Sequence, residues 1–212
     1  MEAAVGPLPP PGADAVRDDL RAAGMAAAIL VEGWSDQAAL QALARRRGID
    51  LAAERIAIVP TGGVTNIAHF VRALGPGGLG LRLAGLCDRG EAAYLLRALQ
   101  RRGLDGDNAP ADLAAIGFFV CDVDLEDELI RALGVAAVER VIEAEGEHAG
   151  FRSFQAQPAQ RGRDAASQLR RFIGTRAGRK IRYGARLVET LDLDRVPRPL
   201  DAVLARARGQ PG

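Results

Sequence analysis

The chain has 212 residues, a formal net charge of +1, and 48% hydrophobic, 26% charged and only 4% aromatic residues. That length suits one large α/β domain, with or without a small helical extension, and the core must be filled by Ala, Leu, Val and Ile rather than by rings. No apolar run approaches the roughly 20 residues that span a bilayer, and the N-terminus lacks the basic start and apolar middle of a signal peptide. Cys87 and Cys121 sit singly in apolar runs. They read as reduced core thiols of a cytoplasmic protein, not as a disulfide framework or a zinc site. His69 and His148 fit no metal-ligand spacing either.

Residues 1–14, with Pro7, Pro9, Pro10 and Pro11, read as a disordered lead-in, and 14–23 as a short helix. The apolar run 26–31, closed by Glu32-Gly33, reads as a buried parallel strand. Ser35 is placed to cap a helix over 36–47, which Gly48 ends. A second strand, 56–59, is broken by Pro60-Thr61-Gly62-Gly63, and 64–74 is a helix with Ile67, Phe70, Val71 and Leu74 on one face. A third strand, 81–87, ends at Asp88 and is followed by a helix over 91–102 and a loop over 103–110. A fourth strand, 116–121, runs into the acidic segment 122–128. After Leu129 only helices are predicted, over 135–145, 164–172, 179–191 and 200–208. Strand and helix alternating four times imply an α/β fold: a mainly parallel four-stranded sheet with helices on both faces, plus a C-terminal helical extension. The domain division that follows is 15–134 for the α/β part and 135–212 for a helical, basic extension packing on it.

Charge is unevenly spread. Residues 151–212 carry 14 basic and 5 acidic side chains, a net of +9; residues 1–150 carry 14 and 22, a net of −8. A basic tail of this kind is either an Arg-decorated helical surface or a diffuse grip on phosphates, with Arg170 as one such contact.

Three strand ends carry acids: Glu32, Asp88, and Asp122 or Asp124. In open α/β sheets ligands bind beyond the carboxyl ends of the strands, so these carboxylates can meet in one crevice. Oxygen-rich clusters suit Mg²⁺ or Mn²⁺ rather than zinc. Asp36 follows Glu32 by four positions and can face the same crevice if the chain turns into a helix between them. Taken singly, Asp36 is also a favourable charge at a helix N-terminus, and Asp124, Glu126, Asp127 and Glu128 could form a solvated first turn.

Together these segments resemble a family. Ile29-Leu30-Val31-Glu32-Gly33-Trp34-Ser35-Asp36 resembles the opening Glu-Gly motif of Toprim domains, in the form used by the OLD (overcoming lysogenisation defect) ATP-dependent endonucleases. Ile58 to Gly63 with Asn66 resembles their second strand and turn, Leu86-Cys87-Asp88 the start of the Toprim Asp-x-Asp motif, Asp124-Leu125-Glu126 the next acidic segment, and Gly178-Arg179-Lys180 the later lysine-bearing segment. The resemblance spans about residues 26–205. It departs at position 90, where Gly90 stands in place of the second Asp, with Glu91 beside it. It departs again in having no GxxxxGK[ST] phosphate loop, so the expectation is a free-standing Toprim domain without the ATPase.

Lys180 is also conspicuous by composition, being the only lysine beside 27 arginines. A compact ammonium and a planar guanidinium are not interchangeable at a phosphate. The resemblance implies metal-dependent hydrolysis of DNA phosphodiesters, with RNA as the alternative substrate. Glu32, Asp36, Asp88, Asp124 and Glu126 would hold Mg²⁺ or Mn²⁺, two ions in all, with Glu32 and Lys180 as the catalytic residues. A separate ATPase is the expected protein partner, and no membrane is. Oligomeric state and sequence preference are not legible. The rival reading is a non-catalytic Toprim module that binds nucleic acid or a partner ATPase, which Gly90 favours. A receiver-like signalling domain would want an acidic pair where this chain has Glu32-Gly33.

Overall fold

The computed structural model describes residues 10–100 and 112–210. In chain order the elements are α1 (Ala13–Ala22), β1 (Ala27–Val31), α2 (Trp34–Arg46), β2 (Ile56–Pro60), α3 (Val64–Leu74), β3 (Arg82–Asp88), α4 (Arg89–Gln100), β4 (Phe118–Cys121), α5 (Leu125–Leu133), α6 (Val135–Ala144), α7 (His148–Gln155), α8 (Ala165–Gly174), α9 (Ala177–Thr190) and α10 (Arg198–Ala207). The expected lead-in lies mostly outside the described residues, and its last two residues already belong to α1. The expected loop over 103–110 also lies outside them.

The four strands form one parallel sheet in the order β2-β1-β3-β4. β1 is buried along its whole length, as its unbroken Ala-Ala-Ile-Leu-Val run requires of a central parallel strand. Side chains alternate between two cores. Ile29, Val31, Ile58 and Leu86 face a layer made by α2 and the helices after β4; Ala28, Leu30, Val59 and Cys87 face α1, α3 and α4. The cysteines are free and buried, one on each face. Among the described residues no helix is long and apolar enough to cross a membrane.

Three differences from the sequence expectation have local causes. α2 starts at Trp34 rather than beyond Ser35, because the Asp36 carboxylate reaches back and accepts the Gly33 N–H (2.8 Å). β4 is shorter than expected at its start: residues 114–116 form a 3₁₀ turn, and Gly117, at φ 85°, turns the chain before the strand can begin. The acidic run does form the first turn of a helix, α5, but not a solvated one: Glu126 and Glu128 are buried with Leu125, Leu129 and Ile130. The helix α7 is additional; Phe151 on it packs edge-on against Phe172 of α8 (5.1 Å between centroids).

The C-terminal helices are part of the same core. α9 lies close along α2 and α10 lies along β3 and β4. The approach of α9 depends on Gly184, where a Cβ would come within 2.6 Å of the Ser35 carbonyl oxygen. Alanine is the better helix former by about 1 kcal/mol. Gly184→Ala is nonetheless expected to destabilise by about 1–3 kcal/mol, because α9 must lift off α2. For a chain this size that lowers Tm by roughly 2–4 °C per kcal/mol. A melt showing Gly184→Ala equal to or above wild type would contradict this close-approach account.

Candidate metal centre

The sheet order contains a switch point. From β1 the chain crosses to β2 on one side, then passes over to β3 on the other. The connections therefore diverge at the carboxyl ends of β1 and β3 and leave a crevice there, the usual ligand position of an open α/β sheet. Glu32 immediately follows β1 and Asp88 ends β3, so the topology brings these two acids together. With Glu91, on the first turn of α4, they offer carboxylate oxygens that all lie within 4.8 Å of one another.

Glu32 is braced from behind. The Gly62 and Gly63 N–H groups donate to its carbonyl (3.0 and 3.3 Å), Thr61 donates through both N–H and hydroxyl to the Val31 carbonyl, and Asn66 ties the turn by donating to Thr61 O (3.0 Å). The Pro60-Thr61-Gly62-Gly63 turn thus holds the backbone that carries Glu32.

A second group sits beside the first. Glu126 of α5 is 2% exposed, and Lys180 of α9 points its ammonium at it, Nζ to Oε2 3.3 Å. The other oxygen of Glu126, Oε1, is buried with no hydrogen-bond donor. Asp36 shares this neighbourhood: Lys180, Glu32 and Asp88 all act on its charge. Two clefts meet at Lys180. One, of about 230 Å³, is lined by Glu32, Asp36, Gly62 and Gly63; the other, of about 430 Å³, by Asp124, Glu126, Arg170, Arg171 and Thr175. A larger cavity, about 550 Å³, lies elsewhere, against Phe119 and Val120 of the edge strand β4, and is walled mainly by apolar side chains.

Asp124 and Asp122 are placed differently. Asp124 caps α5, its Oδ1 accepting the Asp127 N–H (2.8 Å), while Oδ2 accepts from Arg170 (2.6 Å). It could serve an ion only through an oxygen already engaged, Oδ1 with the Asp127 N–H or Oδ2 with that guanidinium. Asp122, the other acid considered at the fourth strand end, is exposed and paired with Arg89 and Arg131. Arg170, though 42% exposed at its side chain, is accordingly engaged by Asp124. The same holds for much of the basic tail: Arg179, Arg182 and Arg186 pair with Glu145 or Glu147 of the acidic half, and Arg208 pairs with Glu54. Arg171 and Arg176 are exposed and in no ion pair among the described residues.

Electrostatics marks the cluster as short of positive charge. Burial, then Glu32 and Asp88 working against Lys180 and the Gly33 N–H, push Asp36 up to about 6. Burial followed by Glu32, Asp124 and Glu91 raises Asp88 to about 7. Burial, only partly offset by Lys180, raises Glu126 to about 7. Burial also pulls on Lys180, but Glu126 and Asp36 outweigh it, and the ammonium is held above its ordinary range. Buried, crowded carboxylates with one orphaned oxygen are a donor set suited to a hard divalent cation, which would take up the charge that protons otherwise neutralise.

A pH dependence follows. Asp36 and Asp88 start from 3.8 and Glu126 from 4.5 in an unfolded chain. Between about pH 4 and 7 the folded, metal-free protein therefore binds more protons than the unfolded one, and its stability falls as pH rises. A divalent ion would bind the deprotonated site, so the rise in Tm caused by Mn²⁺ should be small at pH 5 and large at pH 8. Thermal melts with and without Mn²⁺ across this range check it; a shift equal at both ends would contradict it.

Residues 26–89 match the family model described as "Overcoming lysogenization defect protein-like, TOPRIM domain". Over residues 26–89 the chain is thus similar to OLD-like Toprim domains. Its fold is also that of solved structures. The C-terminal region of the Burkholderia pseudomallei OLD protein is 22% identical, with 87% of this chain and 98% of that one covered at a TM-score of 0.63, and shows the fold alone. The C-terminal region of the Xanthomonas campestris pv. campestris OLD protein, in its iodine-phased structure, is 25% identical over 87% of this chain and 95% of that one, at a TM-score of 0.64. Its platinum-phased structure is 26% identical over 88% and 93%, at 0.65. No curated protein matches the chain.

Proposed function

We propose that the chain is a divalent-metal-dependent DNA endonuclease of the OLD-type Toprim class, with RNA as the alternative substrate. The observation that carries the reading is the crevice at the ends of β1 and β3, where Glu32 and Asp88 meet beside Asp36, Glu126 and Lys180. Glu32, Asp36, Asp88, Asp124 and Glu126 would hold Mg²⁺ or Mn²⁺, in two positions. Such ions supply activation of water and stabilisation of the leaving oxygen in an in-line displacement. Glu32 is the exposed member of the group and faces incoming substrate. Lys180, 43% exposed at its side chain, has room to leave Glu126 for a phosphate oxygen as charge builds there. Arg171 lines the same cleft and would hold the phosphate backbone without reading bases. Residues 15–134 form the Toprim part and 135–212 the helical part packing on it. A separate ATPase is the protein partner that fits, and the cytoplasm the compartment.

The test is nicking of supercoiled plasmid with Mg²⁺ or Mn²⁺. Nicking abolished by chelation supports the reading. Binding of DNA with no nicking under any metal would favour a non-catalytic Toprim module that binds nucleic acid or an ATPase. Two observations lean that way: Gly90 in place of an acid, and the Arg170 pair that occupies Asp124.

A further inference from the structure

We infer that Glu91 is a metal-ligating residue of this chain, completing with Glu32 and Asp88 a three-carboxylate site for one divalent cation. The inference rests on the metal centre proposed above and concerns which residue fills its vacant corner. An acid two residues after Asp88 would share its side only if the chain stayed extended. Here it does not: β3 ends at Asp88 and α4 begins at once at Arg89. The second residue on, Gly90, is exposed, and a Cβ there would meet nothing within 4 Å. The third residue of a helix, by contrast, folds back beside the residue that precedes the helix, which is the geometry of a capping box. Residue 91 is that third position, and it is a half-buried glutamate with a carboxylate oxygen within 4.8 Å of those of Glu32 and Asp88.

The distances suit an ion. Three oxygens on one Mg²⁺ or Mn²⁺ lie about 3 to 4.2 Å apart. The three oxygens here lie within 4.8 Å of one another, so small rotamer adjustments close the set. Independently of this trio, the buried Oε1 of Glu126 has no donor; the charge of Asp36 acts on Glu126, and those of Glu32 and Asp88 act on Asp36. The crevice as a whole therefore gathers more carboxylate charge than Lys180 offsets. A merely structural glutamate in the first turn of α4 would favour the helix N-terminus and leave metal affinity untouched.

The test titrates the full chain with Mn²⁺, followed by calorimetry and by the EPR signal of free Mn²⁺. Glu91→Gln is expected to weaken Mn²⁺ binding at one site by about 10-fold or more, since even outer residues of metal sites are worth 10- to 100-fold. Gly90→Asp added to Glu91→Gln places no carboxylate at the ion and is expected to leave affinity low. Glu91→Asp, shorter by one methylene, should fall between. Glu91→Gln binding Mn²⁺ as wild type does, while Glu32→Gln loses it, would overturn the role of Glu91 and leave the metal centre standing. Rescue by Gly90→Asp would also overturn it, because position 90 would then be the ligand position. Wild type with no Mn²⁺ binding would remove both. Circular dichroism keeps an unfolded variant from being read as a loss of affinity, and Glu91→Asp supplies the comparison if Glu91→Gln is unstable.

Discussion

Glu32→Gln is expected to reduce metal-dependent nicking by about 10²-fold or more while leaving the fold intact. Glutamine keeps the size and loses the charge, and a lost ligand should cost at least as much as the 10- to 100-fold measured for residues one shell further out. The fold should survive because Glu32 is exposed and the contacts that hold its segment are made by the backbone, through the Gly62 and Gly63 N–H groups. Removing a carboxylate also relieves crowding at Asp36 and Asp88, on both of which Glu32 acts unfavourably. The metal-free variant should therefore be as stable as wild type or slightly more so, yet gain less Tm from Mn²⁺. Full nicking by a folded Glu32→Gln would reject this centre as the source of the activity. A loss of nicking accompanied by a fall in metal-free Tm would point to a structural role instead.

Lys180→Ala is expected to cut the single-turnover nicking rate by about 10²-fold or more, by analogy with removing one preorganised donor to a developing negative charge. DNA affinity should change little, because one of many backbone contacts is lost. Lys180→Arg should rescue poorly. The guanidinium is a planar fork that places its charge differently from the compact ammonium now meeting Glu126. Arg171→Ala is the contrasting variant: it lines the same cleft, is exposed, and has no ion pair. It should weaken binding and flatten the salt slope by about one unit while sparing the chemical step. Arg170 cannot serve as that control, since its removal would free Asp124. If Lys180→Ala and Arg171→Ala lose affinity in parallel, with unchanged rate at saturating DNA, Lys180 is one more phosphate contact.

Much of the centre was legible because parallel strands announce themselves. An apolar run that stops at an acid, as at Val31-Glu32 and Cys87-Asp88, marks a carboxylate at the carboxyl end of a buried strand. The resemblance picks out Glu126 with Asp124 from the acidic run, and the burial of Glu126 is also legible in the pattern. It lies on the face of α5 that carries Leu129 and Ile130, and a charge on an apolar stripe is either partnered or functional. Glu91 was harder. Placing the start of its helix at residue 91 rather than 89 hides that it is the third residue of a turn that begins directly on Asp88. The basic tail shows the limit of composition. Its charge is real, but Arg179, Arg182 and Arg186 spend it on Glu145 and Glu147, which the acidic half supplies.

Sequence alone determined the parallel α/β class, the strand ends at Glu32 and Asp88, and the singular Lys180, because hydrophobic period and chain-end chemistry are local properties. Only tertiary structure decided which acids meet. The strand order β2-β1-β3-β4 sets β1 beside β3, and the close seat of α9 on α2 at Gly184 sets Lys180 against Glu126. Partners so far apart in the chain are chosen by packing, in which a missing Cβ at one position counts for as much as a charge at another.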